Sequence, residues 1–100
     1  MVKDKDLHLI HTYNRSVTFD HGEDVYLFDD QGKKYLDMGA GIAVSALGYS
    51  NYTFKEGLKA QIDKLIHVSN LYYTEPAVKA SEHIANVSGM DRVFFTNSGT

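Results

Sequence analysis

The stretch Arg92-Val93-Phe94-Phe95-Thr96-Asn97-Ser98-Gly99-Thr100 decides how the rest of the sequence is read. Its apolar run lies between Asp91 and the polar Asn97-Ser98-Gly99, which predicts a buried strand running into a turn. The sequence stops inside that turn, so the expectation is an N-terminal piece of a larger protein. Two helices are predicted upstream. Phe54, Leu58, Ile62, Leu65 and Ile66 recur at helical spacing and predict a helix from Thr53 to about Val68. Thr53 with Glu56 has the form of a capping box, although Ser50 or Asn51 could also cap this helix. A second helix is predicted to start at Thr74-Glu75-Pro76, to carry a small-residue face of Ala77, Ala80, Ser81 and Ile84, and to stop at Gly89. Two helices leading into a buried strand predict an α/β layer, whose other strands are expected downstream.

Further back, Val25-Tyr26-Leu27-Phe28 and Lys33-Lys34-Tyr35-Leu36-Asp37-Met38 flank the break Asp29-Asp30-Gln31-Gly32. Two strand-like segments around an Asp/Gly-rich break predict an antiparallel hairpin. Residues 39–48, Gly-Ala-Gly-Ile-Ala-Val-Ser-Ala-Leu-Gly, carry no charge and would let a backbone or a ligand approach closely. A tightly packed buried loop explains that composition equally well. Residues 1–16 read as a polar arm or a short helix.

Composition removes several classes of function. The 100 residues contain no cysteine, which excludes a disulfide framework and any thiolate metal site and fits a reducing, cytoplasmic setting. Ten Lys+Arg against 13 Asp+Glu give a net charge of −3, with no general pull toward nucleic acid or an anionic membrane. No run approaches the roughly 18 apolar residues of a membrane span, and Met1-Val2-Lys3-Asp4-Lys5-Asp6 lacks the apolar core of a secretory signal. His8 and His11 sit in the arm without further ligands, and His21, His67 and His83 are isolated, so no metal centre is expected. No phosphate-binding glycine fingerprint and no Gly-x-Ser-x-Gly elbow occur.

Asn97-Ser98-Gly99-Thr100 has a chemistry of its own. A strand that ends in Ser-Gly-Thr and enters a helix leaves backbone N–H groups unpaired at the positive end of the helix dipole. The hydroxyls add donors, and glycine removes the Cβ that would block an anion. Ser-Gly-Thr also occurs in many ordinary turns, so this pattern alone does not distinguish a phosphate cradle from a plain helix cap.

The order of the pieces adds to this. Phe19-Asp20-His21-Gly22-Glu23-Asp24-Val25-Tyr26-Leu27-Phe28-Asp29 is followed by Gly32-Lys33-Lys34-Tyr35-Leu36-Asp37-Met38. Then come Gly41-Ile42-Ala43-Val44 with Leu47-Gly48, Val68-Ser69-Asn70-Leu71-Tyr72-Tyr73, and Phe94-Phe95-Thr96-Asn97-Ser98-Gly99-Thr100. In this order, over residues 13 to 100, they resemble the N-terminal part of the class III pyridoxal-phosphate aminotransferases. One stretch departs from the family: where it usually shows His-x-His-Pro after the glycine, this sequence has Tyr49-Ser50-Asn51-Tyr52.

The resemblance implies the α/β fold of the aspartate aminotransferase-like, fold type I enzymes. In that fold an antiparallel hairpin and two helices lead into the first strand of the large-domain sheet. Residues 1–48 would pack with the small domain, and residues 49–100 would begin the large cofactor-binding domain. It implies pyridoxal 5'-phosphate as cofactor, with Ser98, Gly99 and Thr100 at its phosphate, and Tyr73, Ile42 and Tyr13 lining the substrate pocket. It implies a homodimer that moves an amino group from an ω-amino donor to 2-oxoglutarate. The lysine and the acidic residue that hold the cofactor ring lie far downstream in the family, so no catalytic residue is expected in this chain and the 100 residues alone are expected to be inactive. Lys33, Lys34, Lys55, Lys59, Lys64 and Lys79 read as solvated. Two alternatives stay open: an enzyme of the same fold with another amino donor or an aminomutase, and a non-catalytic packing module.

Overall fold

A computed structural model describes residues 7–99. It divides between Asp63 and Lys64 into two units. The first unit opens with a three-stranded antiparallel meander: β1 (Phe19–Glu23), β2 (Tyr26–Asp29) and β3 (Lys34–Leu36), in the order β1-β2-β3. Tyr26 sits opposite Leu36 and Phe28 opposite Lys34, which is the predicted hairpin. β1 is an addition to it. Asp20, His21, Gly22 and Glu23 show none of the alternation or β-branching that marks a strand, but the backbone pairs Glu23 with Tyr26 and Phe19 with Asp29 around an irregularity between Phe19 and His21. The side chains then find partners across the sheet. The His21 ring stacks on Phe28 at 4.7 Å, and Phe19 meets Tyr35 edge-on at 5.4 Å.

After β3, residues 38–48 form a looped turn, and Tyr52–Lys64 forms helix α1. It starts one residue before the predicted Thr53, with its cap two residues before the capping-box Thr53. The Asn51 side chain accepts the Phe54 N–H at 2.9 Å, so Asn51 is the cap, and Glu56 instead holds Lys59 at 2.8 Å. The helix also ends at Lys64, short of Val68. Phe54, Leu58 and Ile62 keep 51–53% of their surface exposed, so this apolar stripe is only half covered by the described residues.

The second unit is built on helix α2 (Glu75–Ser88). Thr74 is extended at its N-cap, Pro76 lies in the first turn, and Gly89 closes it with a left-handed φ of 72° and an N–H donated to Ala85 O. These are the predicted boundaries. The less exposed helix positions are Ser81 and Ala85, and with Val78 they border a concavity shared with Arg92 and Val93. The helix face is therefore turned toward Val78 and Ala85 relative to the predicted set.

Residues 92–96 run without forming a strand. A strand exists only through a neighbour's hydrogen bonds, and among the described residues none is alongside. Phe94 is 83% exposed where a buried position was predicted. The same shortage of partners holds throughout: no described residue is buried, and the chain exposes 9401 Å², against about 5,700 Å² for a compact monomer of this mass.

Candidate functional site

The most tightly bonded region of the first unit is the neck of the loop between β3 and α1. The Asp37 carboxylate closes it. Oδ1 accepts the N–H groups of Gly39 at 3.0 Å and Ala40 at 2.9 Å, and Oδ2 accepts the Tyr49 hydroxyl at 2.5 Å. One side chain thus joins the first residues of the loop to the last. The Tyr49 N–H reaches back to Asp24 O at 2.7 Å, and Ser50 Oγ accepts the Asp24 N–H at 2.7 Å. Glycine makes this approach possible twice. A Cβ on Gly22 would lie 2.4 Å from Tyr49 Cγ, and one on Gly48, at φ 72°, would lie 2.5 Å from Asp24 O. Asp37, Ala40, Ser45, Gly48 and Tyr49 are all half-buried, in a chain where most residues are exposed.

The electrostatics follow the bonding. The Tyr49 hydroxyl, with the Ala40 and Gly39 N–H groups, holds the Asp37 carboxyl below the usual carboxylate range. In return the carboxylate raises the Tyr49 phenol above its ordinary value, while Ser45 pulls it weakly the other way. The anchored neck carries a run of left-handed backbone: Ala40, Gly41, Ile42 and Ala43 have φ of 47°, 58°, 58° and 70°. For a β-branched residue such as Ile42 this region is a genuine outlier. The Ile42 side chain stands at 95% exposure. Nothing in Ile42 or Ala43 signals positive φ in the sequence, so this feature went unpredicted.

The other residues singled out from the sequence are placed as follows. Tyr13 lies in the segment before β1, 76% exposed, with its carbonyl accepting the Arg15 N–H at 3.0 Å. Tyr73 belongs to the second unit and is 97% exposed. It borders an open concavity of ≈ 340 Å³ with Thr74, Ala77, Val93 and Phe95, a space that takes in neither Ser98 nor Gly99. Ser98 and Gly99 are exposed. The Ser98 carbonyl accepts the Thr96 hydroxyl at 2.5 Å, which curls the backbone at the end of the apolar run. Apart from its chain neighbours, no atom of the described residues lies within 4 Å of where a Cβ on Gly99 would be. Thr100 lies outside the described residues.

Each lysine read as solvated is engaged locally. Lys33 lies over the Tyr35 ring and Lys34 over the Tyr26 ring, at 4.9 and 3.8 Å from the centroids. Lys55 Nζ donates to Tyr49 O at 3.1 Å, and Lys59 pairs with Glu56. Lys64 and Lys79 flank Glu75 at 3.7 and 2.6 Å. Among the described residues no three His, Cys, Asp or Glu side chains converge as metal ligands, and no helix is long and apolar enough to cross a membrane.

Comparison with known proteins is consistent across sequence and structure. Residues 10–100 match the family model described as aminotransferase class-III. The chain is 50% identical to an acetylornithine aminotransferase of Archaeoglobus fulgidus, over 92% of this chain and 25% of that protein. It superposes with a TM-score of 0.80 on N-acetylornithine aminotransferase from Stenotrophomonas maltophilia, at 37% identity, over 89% of this chain and 25% of that one. It superposes equally well, TM-score 0.80 at 30% identity, on the omega transaminase from Pseudomonas jessenii in complex with PMP, over 92% of this chain and 23% of that one. The chain spans about a quarter of the length of the curated relatives it matches.

Proposed function

This chain belongs to the class-III aminotransferases, and from that premise we propose that it forms the N-terminal part of an enzyme that moves an amino group from N-acetylornithine, or a closely related ω-amino donor, to 2-oxoglutarate. The observation that carries the reading is the 50% identity to an acetylornithine aminotransferase across 92% of the chain. Ser69-Asn70-Leu71-Tyr72-Tyr73 is the stretch whose resemblance favours that branch. The equal structural match to an omega transaminase supports a second reading, in which the donor is another primary amine.

Pyridoxal 5'-phosphate fits the proposal, since a relative of this fold is solved with PMP. When bound, it supplies an electron sink for the carbon that loses its proton during amino transfer. In this reading the Gly99 and Thr100 N–H groups donate to the phosphate, and Ser98 shapes the turn that presents them. A residue without a Cβ is what such a close approach requires. Tyr73, Ile42 and Tyr13 line the substrate side. Each is an apolar or aromatic group with most of its surface free to meet a ligand or a second subunit. A homodimer, with residues 1–48 against the small domain and 49–100 opening the large one, completes the proposal.

The test is amino transfer by the full-length protein, supplied with pyridoxal phosphate and 2-oxoglutarate and offered N-acetylornithine, ornithine, 4-aminobutyrate and simple primary amines in turn. Glutamate formation fastest with N-acetylornithine is the expected result. Faster transfer from a simple amine selects the second reading, and no glutamate from any donor overturns both.

A further inference from the structure

Ile42 is held in a conformation that its side chain disfavours, and among the described residues it packs on nothing. Strain of this kind persists only where surrounding bonds over-determine it, and it concentrates where a site needs a group placed. The bonds are identifiable. Asp37 ties the Gly39 and Ala40 N–H groups at the loop's entry to the Tyr49 hydroxyl at its exit. Tyr49 is tied in turn to Asp24, and its ring occupies the space left by Gly22. Within the loop, Ile42 N–H donates to Gly39 O at 2.8 Å and Ser45 N–H to Ala40 O at 2.9 Å, so the left-handed turn hangs from the two residues that Asp37 grips.

We propose that Asp37 and Tyr49 are positioning residues: their hydrogen bond is a clasp that keeps the 40–43 turn wound and so holds the Ile42 side chain against the carbon chain of the amino donor. This rests on the reading of the protein as an aminotransferase. The clasp does not itself touch the donor. Its carboxylate and phenol are spent on each other and on the loop backbone, which also leaves the Gly39 and Ala40 N–H groups unavailable to any anion.

The experiment uses the full-length protein with Tyr49→Phe, which removes the hydroxyl and keeps the ring, and Asp37→Ala, which removes the acceptor. Amide hydrogen exchange over residues 39–45 is expected to quicken about tenfold in Tyr49→Phe, as for the loss of one hydrogen bond of ordinary net strength, and by at least as much in Asp37→Ala. KM for the amino donor is expected to rise about fivefold with kcat within about twofold, the pattern of lost uniform binding. Ile42→Gly, which relieves the backbone strain and removes the side chain, should raise KM without quickening exchange. Unchanged exchange in both clasp variants overturns the clasp. Quicker exchange with unchanged KM overturns its role toward the donor, as does an Ile42→Gly protein that keeps its KM but loses its dimer. A wild-type protein that transfers no amino group removes the enzymatic reading and the role of Ile42 with it, and exchange still decides whether the clasp exists.

Discussion

Asp29 and Asp37 hold their loops in the same way. Each gives one carboxylate oxygen to two backbone N–H groups just ahead of it and the other to a tyrosine hydroxyl. Asp29 Oδ1 accepts from Gln31 and Lys33 at 2.9 and 2.8 Å, and Oδ2 accepts from Tyr35 at 3.0 Å. Asp37 does the same with Gly39, Ala40 and Tyr49. A chain with no buried residue among those described cannot fix its loops by packing. It fixes them by charge-assisted hydrogen bonds, which depend less on burial.

The first prediction concerns pH. The Lys33 backbone N–H is the main cause that lowers the Asp29 carboxyl, and the Tyr49 hydroxyl the main cause that lowers Asp37. A depressed carboxyl contributes stability that is complete above the free aspartate value, about 3.9, and is lost as pH falls through the folded value. The Tyr49 phenol is raised, chiefly by Asp37. Its contribution is complete below the free phenol value, about 10, and is lost only as pH rises through the higher folded value. Both turns should therefore stay intact between those limits. Carboxyl carbon NMR of Tyr49→Phe should show Asp37 titrating closer to the free value while Asp29 stays where it was. An unmoved Asp37 would show that the phenol is not the cause.

The second concerns the cap of α1. Asn51 Oδ1 accepts the Phe54 N–H, and the Thr53 side chain has no such role. Asn51→Ala should destabilise the protein by about 1 kcal/mol, and Thr53→Ala should fall within about 0.5 kcal/mol of the parent. Denaturant midpoints decide it. The reverse ranking would restore the capping box.

Much of this fold was legible because its signals are local. The spacing of Phe54, Leu58 and Ile62, the start at Thr74-Glu75-Pro76 and the stop at Gly89 each act within one helical turn. The β2–β3 hairpin is written in Asp29-Asp30-Gln31-Gly32 for the same reason. What escaped depends on partners distant in sequence. β1 is a strand because β2 lies beside it, and Arg92–Thr96 forms none here because no described residue pairs with it. The left-handed turn at Ala40–Ala43 depends on a bond between residues 37 and 49 that no window of a few residues contains. Tyr49 was visible only as a departure from a family pattern. The roles proposed for Tyr73 and Tyr13 rest on that resemblance alone, and those proposed for Ser98 and Gly99 on it together with the turn pattern, since each is an exposed residue of a common type.

The third prediction tests the helix stop. Gly89 sits at φ 72° with no atom within 4 Å of a Cβ, so an added methyl group would clash with nothing. The cost of Gly89→Ala is then the backbone term alone, about 1 kcal/mol. Gly89→Asn should cost less, because asparagine tolerates this region better. Equal thermal midpoints for glycine and alanine would mean that the left-handed cap is not maintained in solution.

The fourth takes the 100-residue polypeptide by itself. With 9401 Å² exposed and no described residue buried, it has little cooperative core to lose. Its thermal scan should be broad, without the sharp heat-absorption peak of a two-state domain, and it should form no glutamate with any amino donor. A sharp, reversible transition would mean that the apolar stripe of α1 finds a partner within the chain or in a second copy.

The fifth isolates the proposed phosphate contact at Gly99. The space around this residue is open, so a larger side chain there displaces no atom of the described chain. Gly99→Val in the full-length protein is read twice, as the folding stability of the cofactor-free form and as its affinity for the cofactor. If its N–H faces the phosphate, the same side chain fills the space the anion needs and costs a charge-assisted hydrogen bond, about 1.5–3 kcal/mol. Affinity for pyridoxal phosphate, read by titrating the cofactor-free protein, should therefore fall roughly 10- to 100-fold. A loss of affinity matched by an equal loss of folding stability would assign Gly99 to the fold. Unchanged affinity would take the phosphate away from this turn.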